Sequence, residues 1–495
     1  MRRPRNSYEI DEIRKLKLIR SSEMFLSGSS PSGSIRVAFI YPNSYRLMCS
    51  NLGYNRIYQI MLEKGLNVHR FFYDSNFRRF RSLDSYTPLD EFELLFFSVS
   101  YELDWFNIID ILMKLKIPIL GDERRNHLIF VGGSLPTINS DLFQPLADVI
   151  FHGEAEEELP KVLDVLKESI GVEEKKEGII LKLGKMNLRT VSIPSLNITA
   201  MESGIYRNVL NDPAHSIFTS RFCEFKNRFL VETGRGCFRK CKFCVISGKF
   251  GFFRPVRVEA LKRVLDTIPK GLNVGLVAPS VNDHPRISDI LDILERRKIG
   301  FSVSSLRIDG LNEKLLLGLL RSGQKTLTVA PETGSEELRH RIGKDISDEV
   351  IHEKLKLANR VGFRKLKMYF MVGLPGEKLE DVEGIPKLVG KIMDIGFDEV
   401  IISLNPFIPK PGTDFENERM EDEKSLREKI TILRKNLSKI SSKLSGESIR
   451  ESKLQHILDF ITKDDVRGFL EELDKKFKNE TTPMSIRRKF LAHVM

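Results

Sequence analysis

Residues 229–244 read Phe229-Leu230-Val231-Glu232-Thr233-Gly234-Arg235-Gly236-Cys237-Phe238-Arg239-Lys240-Cys241-Lys242-Phe243-Cys244. The apolar start is a strand candidate, and the glycines on either side of Arg235 let the backbone turn sharply after it. Three thiols follow as C-x3-C-x2-C. Closely spaced thiolates on a tight loop can each hold one iron of a cubane cluster. Three ligands for four irons leave one iron open, and an open coordination site is where a substrate can be held and activated. A structural zinc site is the alternative. It needs a fourth ligand, for which Cys223 is the candidate, and such sites usually pair two short C-x2-C or H-x3-H units, of which one is present.

Downstream of this loop the chain alternates strand and helix patterns. Apolar strand candidates are Val274–Val277, Phe301–Ser304, Leu327–Ala330, Leu366–Val372 and Val400–Leu404, with helical patterns such as Ile287–Arg296 and Leu311–Arg321 between them. About six βα units over 226–415 fall short of the eight that close a full barrel, so a partial barrel is expected. Upstream, 34–170 shows the same alternation. Ile35–Tyr41, Asn67–Tyr73, Leu94–Val99, Leu128–Val131 and Val149–Phe151 are near-continuous apolar runs of the kind a doubly covered parallel sheet uses. This second region reads as a Rossmann-like domain. Residues 171–225 hold no long period and read as a connector.

The two ends differ in texture. Residues 1–33 carry seven basic and four acidic side chains and close on Ser-Gly-Ser-Ser-Pro-Ser-Gly, a basic arm with a joint. Residues 416–495 read as a basic helical tail. There Leu426, Ile430, Leu433, Leu437, Ile440 and Leu444 fall at spacings of three and four, one apolar helix stripe. Lys429, Arg434, Lys435, Lys439 and Lys443 lie on or flank its other face.

Composition bounds the reading. The 495 residues carry Lys+Arg 79 against Asp+Glu 68, a net charge of +11, with 41% hydrophobic residues and 30% charged. That excludes a mainly disordered chain and suits two to four domains at roughly 100–200 residues each. No apolar run approaches the roughly 20 residues of a membrane-spanning helix. No h-region follows the basic start, so a signal peptide is not expected. Five cysteines, three of them in eight residues, argue against a disulfide scaffold and for a reducing cytoplasm with a metal or redox site.

The cysteine loop resembles that of the radical S-adenosylmethionine (SAM) enzymes, whose signature is C-x3-C-x-aromatic-C after the first barrel strand, with Phe243 in the aromatic place. The resemblance implies a [4Fe-4S] cluster on Cys237, Cys241 and Cys244. SAM would chelate the fourth iron and be cleaved reductively to methionine and a 5′-deoxyadenosyl radical. The strand ends carry similar strings: Ser304-Ser305-Leu306-Arg307, Pro331-Glu332-Thr333-Gly334-Ser335 and Val372-Gly373-Leu374-Pro375-Gly376-Glu377. By resemblance Ser305 or Arg307 would meet the SAM carboxylate, Glu332 its amine or ribose, and Val372, Gly373 and Leu374 its adenine through backbone groups. Many members carry Gly-Gly-Glu after the second strand, whereas Ala278-Pro279-Ser280 stands here. Asp283 and His284, just beyond, are candidate catalytic groups, with turn capping as the alternative.

The first domain resembles the cobalamin-binding domain that often precedes this barrel, through Ser98-Val99-Ser100, Val131-Gly132-Gly133-Ser134 and Phe151-His152-Gly153-Glu154-Ala155-Glu156. The Asp-x-His-x-x-Gly of a histidine-ligated cobalamin is replaced by Tyr41-Pro42-Asn43-Ser44-Tyr45-Arg46, so cobalamin without that ligand is left open as a further cofactor, and with it methylation. The related tRNA methylthiotransferases need a second cluster on three further cysteines. Cys49 and Cys223 cannot supply it, which argues against that reaction.

The expected function is therefore a radical SAM enzyme acting on a substrate the sequence does not name, with an electron donor for its cluster and no membrane partner. The alternative is a nucleic-acid-binding protein with a structural cluster. RNA is left open as a partner of the basic ends, although no aromatic-interleaved basic motif of the kind that stacks on unpaired bases is read from the chain.

Overall fold

The computed structural model describes residues 7–26, 33–170, 175–201, 210–440, 443–476 and 482–494. The chain divides into two compact units. One comprises 1–207, 214–227 and 458–495, and the other 208–213 and 228–457.

The first unit is built on a six-stranded sheet flanked by a ribbon. Strand β1 (Glu23–Phe25) belongs to the ribbon. The sheet contains β2 (Arg36–Tyr41), β3 (Asn67–Phe72), β4 (Leu94–Ser98), β5 (Leu128–Gly132), β6 (Val149–Phe151) and β7 (Val191–Ser192), and β8 (Phe218–Ser220) pairs antiparallel with β1. The sheet order is β3-β2-β4-β5-β6-β7, parallel except for β7. Its central strands are buried along nearly their whole length, as the continuous apolar runs require of a sheet covered on both faces. Helices Leu52–Glu63, Asp104–Leu115 and Leu159–Ile170 supply the cover.

Residues outside the expected Rossmann-like span complete this unit. Helix Ser7–Arg20 buries Glu12, Leu16 and Ile19. The Glu12 carboxylate accepts the Arg81 amide at 2.6 Å and also the Arg78 amide. Residues 7–20 of the arm thus form a packed helix, and their Arg14, Lys15 and Arg20 pair with Asp11, Asp74 and Glu23. From the far end, helices Lys463–Lys476 and Pro483–Val494 bring Phe469 and Phe490 to within 6.2 and 5.6 Å of the Trp105 ring. Cys49 and Cys223, 174 residues apart, are bonded to each other with their Cα atoms 5.5 Å apart. One link is no disulfide scaffold, but it corrects the expectation that Cys223 could be a fourth zinc ligand.

The second unit is the partial barrel. It begins with β9 (Arg228–Glu232) and a two-stranded hairpin of β10 (Gly234–Arg235) and β11 (Arg254–Pro255). Then come β12 (Asn273–Val277), β13 (Phe301–Ser302), β14 (Thr326–Glu332), β15 (Lys365–Val372), β16 (Glu399–Pro406) and β17 (Lys443–Ser445). Strands β13-β12-β9 form one parallel sheet and β14-β15-β16-β17 another, joined by a parallel bridge between Leu306 and Val329. Six of these seven, β9, β12, β13, β14, β15 and β16, are the strands the repeat count predicts, and β17 adds a seventh at the edge. Along β15 a buried row, Leu366, Met368, Phe370 and Val372, alternates with half-buried Lys367, Tyr369 and Met371.

The tail stripe does not run as one helix to Leu444. The helix spans Glu423–Leu437, a 3-10 turn takes Ser438–Ile440, and Leu444 sits on β17. Residues 441–442 and the Lys439 side chain lie outside the described residues. Serines compete with the helix for backbone hydrogen bonds, and Ser438 is where the helix ends.

Candidate active site

The cysteine loop leaves the hairpin at Gly236, which takes φ +69°, and ends in the short helix Val245–Lys249. Backbone bonds tie it down: the Lys242 amide donates to the Ile342 carbonyl (2.9 Å), the Phe415 amide to the Lys242 carbonyl (3.2 Å), and the Cys244 amide to the Cys241 carbonyl (3.0 Å). Cys237, Cys241 and Cys244 are half-buried and in no disulfide. Burial pushes the Cys237 and Cys241 thiols up, and Cys244 adds to both. The Arg239 amide and Arg307 oppose the rise at Cys237, and Lys344 and Arg307 oppose it at Cys241. Among the described residues no three His, Cys, Asp or Glu side chains meet at one metal-sized point. A cubane takes each thiolate on its own iron and asks for no such meeting. Three free thiols on one loop, with cations close by to offset the charge of ionised sulfur, fit the group.

A charge network closes around the loop. Arg239, between the first two cysteines, donates to Asp283 at 2.9 Å and reaches Asp309 at 3.3 Å. Arg307 grips Asp309 in a two-pronged pair at 3.0 and 3.1 Å. The Asn282 amide brackets Arg307, donating to its carbonyl (2.9 Å) and accepting its amide (3.2 Å). Burial alone would raise the Asp309 carboxyl, but Arg307 and Arg239 hold it below the ordinary range. The Asp283 hydrogen bond in turn raises Arg239. On the next strand Glu332, at φ +72°, pairs with Lys344 at 2.6 Å. Both charges, with that of Arg307, bear on Cys241. The ends of β12 and β14, the segment after β13 and the cysteine loop therefore share one locus.

The other expected residues fall as follows. Ser305 is exposed. His284 is buried and structural: its Nε2–H donates to the Val256 carbonyl (2.9 Å) and its Nδ1 accepts the Arg286 amide (3.1 Å). Burial pulls its pKa down. With both ring nitrogens bound to backbone it ties the turn together, the alternative the sequence left open beside catalysis. Asp283 is a loop anchor through Arg239. Phe243 and Met371 pack against the apolar cluster of Leu338, Ile342, Leu374 and Phe407. In the turn after β15 the Gly373 amide already donates to Glu377 (2.8 Å), and the Val372 and Leu374 carbonyls accept the Phe407 and Glu377 amides. A carbonyl keeps a second lone pair, so the Val372 and Leu374 oxygens remain able to accept from an adenine, whereas the Gly373 amide is spent.

Arg239, Asp309, Lys344, Glu377 and Lys429 are charged groups of this region that the sequence motifs do not mark. Buried Glu377 takes the Lys429 ammonium at 2.8 Å, and Glu421 takes it at 2.7 Å. Asp309 was readable, two residues beyond Arg307. The others are brought in by tertiary structure.

In the first unit, Gly133, Ser134, His152 and Gly153, four of the residues that resemble a cobalamin domain, make internal contacts. Gly133 takes φ +114°, and a Cβ there would overlap the Val99 carbonyl. Ser134 donates to the Ser100 carbonyl (3.2 Å), His152 bonds Ser192 (2.8 Å), and the Gly153 amide donates to Thr137 (2.6 Å).

A partial (β/α)6 barrel with a three-thiol loop behind its first strand defines the class, and the comparisons agree. Residues 231–389 match the model of the Radical SAM superfamily, and 65–194 match that of Radical SAM proteins, N-terminal. An uncharacterized protein of Methanocaldococcus jannaschii is 33% identical over 433 residues, covering 85% of this chain and 88% of its own. An uncharacterized methyltransferase of Pyrococcus horikoshii is 24% identical, over 58% of this chain and 62% of its own. Among solved structures, the cobalamin-dependent SAM radical enzyme OxsB, with aqua-cobalamin and SAM bound, aligns at TM-score 0.50 and 17% identity. It covers 72% of this chain, which spans 52% of OxsB, and the likeness shows the fold alone. The chain belongs to the radical SAM superfamily, whose members are enzymes that use a [4Fe-4S] cluster and SAM. Among the described residues no helix is long and apolar enough to cross a membrane.

Proposed function

We propose that Cys237, Cys241 and Cys244 hold the [4Fe-4S] cluster and that SAM lies over it between Arg307 and the Glu332–Lys344 pair. The observation that carries this is the convergence of three free thiols with those charged groups at the strand ends. The cluster and SAM together supply one-electron cleavage of the sulfonium, which yields methionine and a 5′-deoxyadenosyl radical.

The chain's own residues do the holding. Arg307, fixed by Asn282, presents a cation to a carboxylate, and its pairing with Asp309 keeps the guanidinium oriented until the ligand arrives. Glu332 offers an anion to an ammonium or a ribose hydroxyl. Phe243, Met371 and Leu374 give an apolar wall to a purine, and the Val372 and Leu374 carbonyls give acceptors. Arg239 holds the loop to Asp283 and Asp309, so the thiols are set before a cluster is built. An external electron donor follows from this chemistry. Methyl transfer is the reaction to expect if cobalamin is taken up as well.

The test is anaerobic reconstitution followed by dithionite reduction with SAM. Expected are about four irons per chain and formation of 5′-deoxyadenosine. The Cys237/Cys241/Cys244→Ala triple variant should lose both and keep its far-ultraviolet circular dichroism, since none of the three cysteines lies on a strand or a helix and all three are only half-buried. A full cluster that yields no 5′-deoxyadenosine overturns the proposal.

A further inference from the structure

The segment that carries the cysteines has a composition of its own. Residues 234–257 hold seven basic side chains, five phenylalanines and no acid. An aromatic-interleaved basic motif therefore does exist in this chain, around the cluster ligands and not at the basic ends. The structure sorts its members. Arg235 is neutralised by Glu232, Arg239 by Asp283 and Asp309, and Arg254 is buried. Lys240 and Lys242 are exposed and make no ion pair among the described residues. Phe238 is 51% exposed and Phe252 64%, both on the hairpin and loop that start at Gly234. The Arg239 guanidinium lies 4.7 Å from the centre of the Phe238 ring, and Phe253 meets that ring edge-on at 5.9 Å. Phe238 is thus held in orientation by its neighbours while half of it stays open to solvent.

We propose that this rim binds the unpaired segment of a nucleic acid, with bases stacked on Phe238 and Phe252 and phosphates on Lys240 and Lys242, so that a nucleotide of that strand is the substrate. The inference rests on the reading of the cysteine loop as the reacting centre, because it is the loop's own residues that form the rim. Exposed aromatic faces beside unpaired cations suit single strands, where every base offers a stacking face and each phosphate a charge. A duplex buries those base faces. An acidic protein segment would use the lysines and leave the rings idle. The first helix holds Arg14, Lys15 and Arg20 in ion pairs, and the exposed Lys424, Arg434 and Lys435 of the helix Glu423–Leu437 have no aromatic residue on that helix beside them, which leaves this rim as the better-equipped surface.

The experiment is fluorescence anisotropy of the full reconstituted chain with fluorescein-labelled strands of about 20 nucleotides, longer than the roughly 4–16 nucleotides of a typical single-strand site. Single-stranded RNA, single-stranded DNA of the same sequence and the RNA duplex are compared, and the first two arms identify which sugar is accepted. Expected is tighter binding of a single strand than of the duplex. Lys240→Ala with Lys242→Ala should lower the slope of log K against log salt by about 1.4, at about 0.7 per phosphate contact. Phe238→Leu and Phe252→Leu should each weaken binding roughly 5- to 150-fold with the slope kept, the range expected for loss of one stacked base. Phe252→Tyr should restore it, which separates stacking from a folding defect. Absence of affinity at low salt, preference for the duplex, or leucine variants that bind normally would overturn the inference. So would a poly-glutamate peptide that competes as well as RNA, which would point to an acidic protein instead. Iron content and 5′-deoxyadenosine formation are read on the same samples. Normal 5′-deoxyadenosine without nucleic-acid binding sinks only the present inference, whereas binding without 5′-deoxyadenosine sinks the proposed function and with it the strand's role as substrate, and leaves only the binding rim.

Discussion

Asp104, at the first turn of the helix Asp104–Leu115, is 1% exposed. One of its oxygens accepts the Asn43 amide at 2.6 Å, and the other is buried without a hydrogen-bond partner. Burial pushes the carboxyl up to about 7, with Glu102 adding and with Asn43 and Arg487 opposing. The folded pKa is thus above the ordinary carboxylate value, and the folded chain binds the proton that the unfolded chain has released. The stability this group contributes is full below about pH 4 and is lost as pH rises toward 7, up to about 4 kcal/mol in all. An Asp104→Asn variant keeps an acceptor for Asn43 and cannot ionise. Denaturant titrations of the first unit at pH 5 and pH 8 should show the wild-type chain losing more stability between the two than the variant. Equal losses would mean that Asp104 stays ionised in the folded state.

At the scale of elements, the cysteine loop depends on the turn behind it. Gly343 takes φ +73°, and a Cβ there would overlap the Lys240 carbonyl, in the middle of the loop. A Gly343→Ala change therefore has to displace the loop or the Ile342 bond that ties it. Expected is a chain that folds but retains well under half the iron of the wild type after desalting, measured by iron assay. Full iron retention would show that the loop yields without cost to the ligands. The loop and the strands around it were legible in the sequence because their signals are local. Cysteine spacing, apolar runs and glycine placement are all read within a dozen residues. The Glu423–Leu437 helix shows where that stops. Periodicity located its apolar stripe correctly at Leu426, Leu433 and Leu437, all buried. It also placed Lys429 on a basic back, whereas the fold turns that lysine to Glu377, 52 residues earlier, and to Glu421. His284 shows the same limit. Its neighbours in sequence are polar, but its partner is the Val256 carbonyl, brought in from the end of the hairpin.

The last residues of the chain belong to the same unit as the first. Helices Lys463–Lys476 and Pro483–Val494 pack on the sheet domain, and the contact centres on Trp105, which is fully buried and the only tryptophan in the sequence. Its indole N–H donates to the Leu142 carbonyl at 2.9 Å, and Phe490 also meets Phe106 at 5.4 Å. Phe469 and Phe490 lie edge-on to each other at 5.1 Å, so these two rings, Trp105 and Phe106 make one aromatic core shared between the helix Asp104–Leu115 and the two C-terminal helices. Truncating a buried phenylalanine typically costs about 3–5 kcal/mol. In a chain of two units one melting temperature has no single meaning, but Trp105 reports on the first unit alone. A Phe490→Ala variant should lower the denaturant midpoint of the tryptophan fluorescence transition, while the visible absorbance of the reconstituted cluster, a reporter of the barrel, keeps its own midpoint. Removal of residues 463–495 should go further and shift the tryptophan emission to longer wavelength in the native state, because water reaches the indole once both helices are gone. If the emission of the truncated chain stays where it is in the full chain, the terminal helices do not form part of this core, and the domain would be complete without them.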